Sequence, residues 1–409
     1  MKNWAGNVTF TSDRVHRPRS VEELQETVAR SEHLRPLGTA HSFNRIADTT
    51  GDLVSVGGLP GGLAVDDATS TVSVPAGARY GEVAPALQER GLALHNLGSL
   101  PHISIAGACA TGTHGSGNRN RCLSAAAVGV EFVNASGELV RLNQGDADFG
   151  GAVLSLGALG VVTRLTLAVE PSYEIRQQVW LDAPLDTVLE HYDEITAAGY
   201  SVSLFSGPDS PGRIDQIWIK TRDGQPADGT RWGARPADAD VHPLAGQDAR
   251  AATEQRGVPG AWFERLPHFR LSFTPSAGDE QQTEYLVPRE HAPAAIAAVH
   301  ELDLGAALQV AEFRTIAADD MWLSPFHQRA TAGIHFTWHN DDEAVAPAVA
   351  AVEKALAAFD PRPHWGKRFG VGADVVRAQY PRLAEFRALA ARHDPERKFG
   401  NAFLDEYVY

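Results

Sequence analysis

Cysteine and methionine are scarce in this chain of 409 residues, with 2 of each. Cys109 and Cys122 stand in no CxxC or His-x-x-Cys spacing, which excludes a disulfide framework and a zinc or dithiol centre and leaves two reduced, structural thiols as the expectation. Long apolar runs are missing as well. No stretch approaches the ~20 residues that a membrane-spanning helix requires, and the opening MKNWAGNVTF lacks the apolar core of a secretory leader, so the expected setting is the cytoplasm. Positive charge is also short: 36 Lys and Arg against 51 Asp and Glu give a formal net charge of -15. Such a surface repels polyanions and anionic lipids, which argues against nucleic-acid and membrane partners. The rest is ordinary for a globular protein, 43% hydrophobic and 21% charged, and the length suits two or three domains at ~150 residues each.

Two glycine-studded stretches each place a histidine among residues too small to pack around it: PLGTAHSFN from Pro36 and SIAGACATGTHGSG from Ser104. Glycine lets backbone approach a ligand closely, and the N–H groups of such loops form anion-binding nests. In an acidic protein a pyrophosphate has to be held by backbone N–H groups rather than by lysines. The second stretch is not a Walker A loop, since Thr113 follows Gly107 and Gly112 where lysine is required, and it is not a GxGxxG fingerprint after a strand. Taken alone, it also reads as a close-packed turn between layers.

Before Pro171, periodicity predicts short elements in irregular order: a helix from Ser20, with capping-box spacing to Glu23, strands over Asp52 to Val56, Thr71 to Val74 and Val161 to Val169, a hairpin around Asn-Ala-Ser-Gly that returns through Leu139 to Leu142, and helices over Tyr80 to Arg90 and Phe149 to Leu159. After it, longer alternating segments at Ser201 to Phe205, Gln216 to Thr221, His268 to Phe273 and Glu284 to Val287 suit an antiparallel sheet with one covered face. Helices are expected over Ala292 to Leu302 and Glu343 to Phe359, a long loop from Asp223 to Gly260, and two further helices from Ala373. The class is α+β.

Two strands carry polar faces. In QVAEFRTI, Val310, Glu312 and Arg314 share one side and Ala311 and Phe313 the other. In GIHFTWHN, Ile334, Phe336 and Trp338 are apolar while His335, Thr337 and His339 are polar. A helix would make His335 and His339 a metal pair, but the β-branched and aromatic composition favours a strand, which separates them by more than ~10 Å, so no metal is expected. Lys367, in RPHWGKRFG, sits in a tight loop suited to aim an ammonium inward. Each feature alone also has a plain structural reading: a surface ion pair, a satisfied histidine, a solvated lysine.

Together, PLGTAHSFN, NLGSLPHISIAGACATGTHGSG, LGALGVVT, GVPGAWFERLPHFR, AEFRTIAADDMWLSP, HFTW, RPHWGK and KFGNAF, in that order, resemble the alditol (xylitol) oxidases of the vanillyl-alcohol-oxidase-type flavoprotein superfamily. The resemblance implies a two-domain architecture: residues 1–171 and a returning segment, 372–409, bind FAD, and residues 172–371 form an antiparallel-sheet substrate or cap domain. It implies that His41 is bonded covalently to the flavin. Pro36, Leu37, Gly38, Thr39, Ala40 and Ser42 around it, with Gly107, Ala108, Cys109, Ala110 and Thr111, would wrap the cofactor, and Gly98, Ser104 and Val162 would touch it.

By the same resemblance Ser99, Glu312, Arg314, His335 and Lys367 line a polyol site, Thr337 lies near the flavin, and His335 and Lys367 share the role of base. Gly98 departs from the alanine expected there, which bears either on oxygen access to the flavin or on substrate fit. The implied activity is oxidation of an alditol at its terminal hydroxyl, with O2 reduced to H2O2, by a monomer. The alternatives are an aldonolactone oxidase or dehydrogenase on the same scaffold and a non-catalytic flavin-binding protein.

Overall fold

The computed structural model describes residues 1–224, 227–274, 276 and 279–409. Among these residues, strands assemble into a large antiparallel sheet and several smaller ones. In the N-terminal part, Ala64–Asp66, Thr71–Pro75, Val161–Ala168, Ala127–Val133 and Leu139–Asn143 follow one another across a 5-stranded antiparallel sheet. Val15–His16, Asp52–Val54 and Leu34–Pro36 pair in parallel beside it. The first helix, Val21–Arg30, begins at the predicted cap: the Ser20 hydroxyl accepts from the Glu23 N–H at 3.1 Å, closing one of the donors a helix start leaves open, while the Glu23 carboxylate reaches back one residue beyond the cap, to Arg19 N at 2.7 Å.

One apolar core joins this part to the chain's end. Val74, Val83, Leu97, Leu154 and Leu165 pack with Phe386, Leu389, Leu404 and Val408 in a single cluster. Fully buried Arg35 ties the same regions together. Its guanidinium donates to Gly157 O at 3.0 Å, Phe399 O at 2.7 Å, Ile46 O at 2.6 Å and Leu156 O at 2.8 Å.

The second part is dominated by a 9-stranded sheet whose central order is Arg213–Arg222, Ser201–Ser206, Leu308–Ile316, Thr331–His339 and Glu280–Pro288. Register explains how the buried centre of this sheet supports two kinds of surface. Leu204, Phe313, Ile334 and Tyr285 stand opposite one another in an apolar row, which the helices Ala292–His300 and Asp342–Leu356 cover with Ile296, Val299, Val345, Val349 and Val352. One residue along, Phe205, Glu312, His335 and Glu284 form the alternate row. Side chains alternate along a strand, so this row faces away from the helices.

Three sequence expectations are corrected. Only Phe149–Ala152 of the segment Phe149 to Leu159 is helical. Beyond it Leu156 has φ 55 and Gly157 φ 71, and their carbonyls turn to the Arg35 guanidinium instead of continuing a helix. Conversely, the second glycine stretch is not loop throughout: Ile105–Thr111 is a short helix stopped by Gly112 at φ 74. His268 to Phe273 forms no strand. Phe269 makes one isolated bridge to Ala252, because Pro267 interrupts the ladder and the Leu266 and Pro267 carbonyls are turned toward Lys220. The expected long loop from Asp223 to Gly260 carries short turns and strands, such as Gly229–Trp232 and Pro259–Ala261, and residues 225 and 226 lie outside the described residues.

Candidate active site

The alternate face of the large sheet and the two glycine stretches enclose one cavity of about 390 Å3. Its wall includes Pro36 to Ser42, Gly98, Ser99, Ser104, Gly107, Ala108, Ala110, Thr111, Val162, Glu312, Arg314, His335, Thr337 and Lys367. Cys109 is the exception among the sequence-predicted residues. On the short helix its side chain faces the core, 1% exposed, with Sγ 3.9 Å from the Tyr80 hydroxyl, and burial pushes its thiol up to about 12. His339 ends its strand in solvent.

At one end the cavity is shaped by what is absent from Cα. A Cβ on Gly38 would stand 2.7 Å from Ser104 Oγ, and one on Gly107 2.8 Å from the same atom, so a larger residue at either position would have to push the Ser104 hydroxyl aside. Ser104 Oγ is buried with no hydrogen-bond partner, an arrangement that costs free energy until something fills it. Both ring nitrogens of His41 are likewise buried and unpartnered. Trp4 stacks on the imidazole, with ring centroids 5.2 Å apart and planes 17° from parallel. Burial pushes His41 down to about 4, with His102 also lowering it, so the ring is neutral near pH 7 and keeps a nucleophilic lone pair.

The His41 loop is pinned to the loop that carries Lys367. Phe43 N donates to Gly366 O at 2.8 Å, and the Asn44 amide donates to Trp365 O at 2.8 Å and Lys367 O at 2.7 Å. Lys367 therefore sits beside the sheet rather than in solvent. Its ammonium donates to Gln282 Oε1 and lies 5.2 Å from the Phe43 ring centre. Burial lowers it to about 8.

The sheet face itself is a network of charges. Arg314 Nη2 lies 3.0 Å from Glu284 Oε1, its Nε 3.4 Å from Glu312 Oε1, and its Nη1 donates to Ser99 Oγ at 3.3 Å. His268 Nε2 lies 2.8 Å from Glu312 Oε1 and His114 Nε2 3.0 Å from Glu284 Oε1. Burial would raise both carboxyls, but Arg314 and His268 pull Glu312 well down, and His114 and Arg314 do the same to Glu284. Both are carboxylates. His335 is driven the other way, to about 3, by burial and then by Lys367, so its imidazole is neutral.

Hydrogen bonds decide which nitrogen of His335 carries the proton. The Gln282 side-chain amide donates to Glu280, which leaves Gln282 Oε1 as the acceptor toward Lys367 and toward His335 Nε2 at 3.2 Å. His335 is then the Nε2–H tautomer. Its Nδ1, buried and without a hydrogen-bond partner, lies 3.8 Å from Glu312 Oε2, a vacant lone pair in the cavity wall.

Sequence reasoning brought Glu312, Arg314, His335 and Lys367 together and missed Gln282, Glu284, His114, His268 and His364. Gln282 and Glu284 share the parity of a strand that was read only from Glu284 onward; extending it two residues back finds them both. His114, Glu284 and His364 offer three ligand atoms within 4.8 Å of one another. Glu284 Oε1 already accepts from Arg314, and His364 Nδ1 already accepts from Gly366 N at 3.0 Å.

The FAD binding domain family matches residues 12–143, and the D-arabinono-1,4-lactone oxidase family matches residues 279–407. An alditol oxidase from a Streptomyces species is 51% identical over 411 residues, covering 99% of this chain and 98% of that protein. An L-gulono-1,4-lactone dehydrogenase from Mycobacterium tuberculosis is 31% identical, with 98% and 97% covered. Among solved structures, cholesterol oxidase from B. sterolicum superposes with a TM-score of 0.80 at 15% identity, covering 100% of this chain and 96% of that one, a likeness of fold.

Proposed function

Because the chain belongs to the alditol oxidase family of FAD-dependent flavoproteins, we propose that it oxidises sugar alcohols such as xylitol and sorbitol at a terminal hydroxyl to the aldose. The observation that carries this reading is the buried row of Glu312, His335 and Glu284, with Arg314, Ser99 and Lys367, facing the cavity that begins at His41. A polyol presents only hydroxyls, and a wall that alternates carboxylate, guanidinium, imidazole and ammonium matches such a ligand, because a deoxy analogue would leave buried polar groups unpaired.

The chain's own features fit the cofactor. The Gly38 and Gly107 cradle, the orphaned Ser104 hydroxyl and the unpartnered His41 ring all await a ligand at one end of the cavity. Pro36 to Ser42 and the Ser104 to Thr111 segment would hold FAD by backbone contact, with His41 bonded to it covalently. FAD bound there would supply the hydride acceptor and the route by which two electrons, with two protons, reach O2 to give H2O2. Residues 1–171 and 372–409 make up the cofactor half and residues 172–371 the substrate half; the apolar core that joins the first and last segments also takes in Trp262, Trp322 and Trp365 from the middle one, so the two halves share it. The cytoplasmic setting expected from composition and the monomer implied by the resemblance belong to this same reading.

Around the substrate, the Glu312 carboxylate accepts from inner hydroxyls, and Arg314, clamped between Glu312 and Glu284, donates to them. Ser99 Oγ accepts from Arg314, which leaves its hydrogen for the C1 or C2 oxygen. The neutral His335 Nδ1 takes the proton of the C1 hydroxyl. The Lys367 ammonium, close by through Gln282, stabilises the oxygen's growing negative charge. The experiment is an absorbance spectrum of the pure protein with and without xylitol under anaerobic conditions. Bleaching of the yellow band is expected, and a band that no polyol alters refutes the assignment. The match of residues 279–407 to the lactone oxidase family keeps one rival open, so xylitol, sorbitol, glycerol and galactonolactone should be compared under air with peroxide detection.

A further inference from the structure

Lys220 lies in the strand Arg213–Arg222, 1% exposed and outside the cavity wall. Buried lysines are normally paired with a carboxylate. Lys220 instead meets three acceptors: Leu266 O, Pro267 O at 3.1 Å, and His268 Nδ1 at 3.2 Å. An ammonium has three hydrogens, one for each. A donor at Nδ1 requires that the neutral imidazole carry its own proton on Nε2, the nitrogen 2.8 Å from Glu312 Oε1. The charged groups facing the pair are Glu312 and Arg314, from Leu308–Ile316 two strands along the sheet, and the remaining neighbours, Gln177, Ser203, Thr253, Phe205, Trp218 and Phe269, are neutral.

We propose that Lys220 and His268 form a buried relay behind Glu312, in which the ammonium selects the imidazole tautomer that donates to the carboxylate. Lys220 is thus a positioning residue for polyol recognition. This rests on Glu312 being a polyol-binding residue. When Lys220 loses a proton to solvent, its amine has two hydrogens for three acceptors. A backbone carbonyl cannot become a donor, whereas His268 can, by carrying its proton on Nδ1 instead of Nε2. Glu312 then loses its donor and faces a lone pair. Burial lowers Lys220 to about 7, so the change falls within the working pH range, the ammonium form prevailing below it.

Losing a hydrogen bond to a charged group weakens binding about tenfold. KM for xylitol should therefore rise about tenfold from pH 6 to pH 8, with kcat changing less. Lys220→Met removes the amine, so His268 donates to Glu312 at every pH and the component of the rise near pH 7 disappears. His268→Gln keeps an amide donor at Glu312 and should flatten the profile in the same way, which covers the case of a Lys220→Met protein that does not fold. In the holoenzyme labelled with 15N-histidine, the His268 signals, assigned by their loss in His268→Gln, should change from the Nε2–H to the Nδ1–H pattern over the same interval. A KM profile in Lys220→Met parallel to the parent's, or an imidazole that keeps one tautomer from pH 6 to pH 8, overturns the relay. The imidazole readout needs no substrate, so a failed relay is distinguishable from a failed assignment of polyols.

Discussion

His335→Ala removes the lone pair assigned to accept the substrate's proton. A positioned general base contributes ~10²–10⁴-fold, which at 1.36 kcal/mol per tenfold is about 3–5 kcal/mol of barrier, so flavin reduction by xylitol should slow by that factor. Lys367→Met, which removes a charge aimed at the same oxygen, should cost ~10²-fold or more. The pH dependence follows from the same environment. With His335 lowered to about 3 and Lys367 to about 8, the base is free above pH 3 and the ammonium is intact below pH 8. The reduction rate should hold level through mildly acidic pH and fall only as Lys367 loses its proton. Anaerobic rapid-mixing measurement of the loss of yellow absorbance reads this step apart from reoxidation. Parental rates in both variants would refute the assignment, and so would an acid limb with its midpoint near the ordinary histidine value.

Three more outcomes are expected. Acid precipitation should leave the yellow colour in the protein pellet, and His41→Ala should release it to the supernatant; a colourless pellet from the parent protein excludes a covalent flavin. A Cβ on Gly98 would meet Thr113 Cγ2 at 3.5 Å and His114 O at 3.6 Å, ordinary contact, so Gly98→Ala should fold normally and slow reoxidation by O2 more than reduction by polyol, whereas equal slowing would remove the oxygen-access explanation. Glu284→Gln removes one of the two carboxylates that hold buried Arg314; breaking a buried pair on one side costs about 3–5 kcal/mol, and with Glu312 still in place the loss should fall at or below the lower end, to be read by denaturant unfolding, whereas an unchanged midpoint would mean that this pair contributes nothing to the fold.

How much of this was legible in the sequence depended on range. The period-2 pattern of QVAEFRTI and GIHFTWHN put Glu312 with Arg314 on one face and His335 with Thr337 on another, because alternation is a property of the strand itself, and only the family resemblance turned those faces toward a site. Register was not legible. Nothing in GIHFTWHN says that His335 stands opposite both Glu312 and Glu284. The Phe149 to Leu159 helix failed where a distant residue, Arg35, claimed the carbonyls a helix needs. Lys220 escaped notice because its burial follows from a loop 46 residues away, and a lone lysine in a strand reads as solvated.

The two ends of the cavity solve different problems, and this explains why they were unequally visible. A cofactor held by backbone requires small residues at fixed positions, and runs such as GTAHS and AGACAT announce that requirement locally. A substrate made of hydroxyls requires donors and acceptors from several strands, each held by others behind it. Arg314 serves the cavity because two carboxylates hold it, and Glu312 because His268 and Lys220 stand behind it. Burying so many charges costs several kcal/mol per ion unless every partner is present. The supporting residues are therefore as constrained as the ones that touch substrate, and a chain that retained Glu312, Arg314, His335 and Lys367 but replaced Glu284 and His268 with apolar residues should lose polyol oxidation while it keeps its flavin. Polyol turnover surviving in that replacement would show that the four wall residues suffice without their supports.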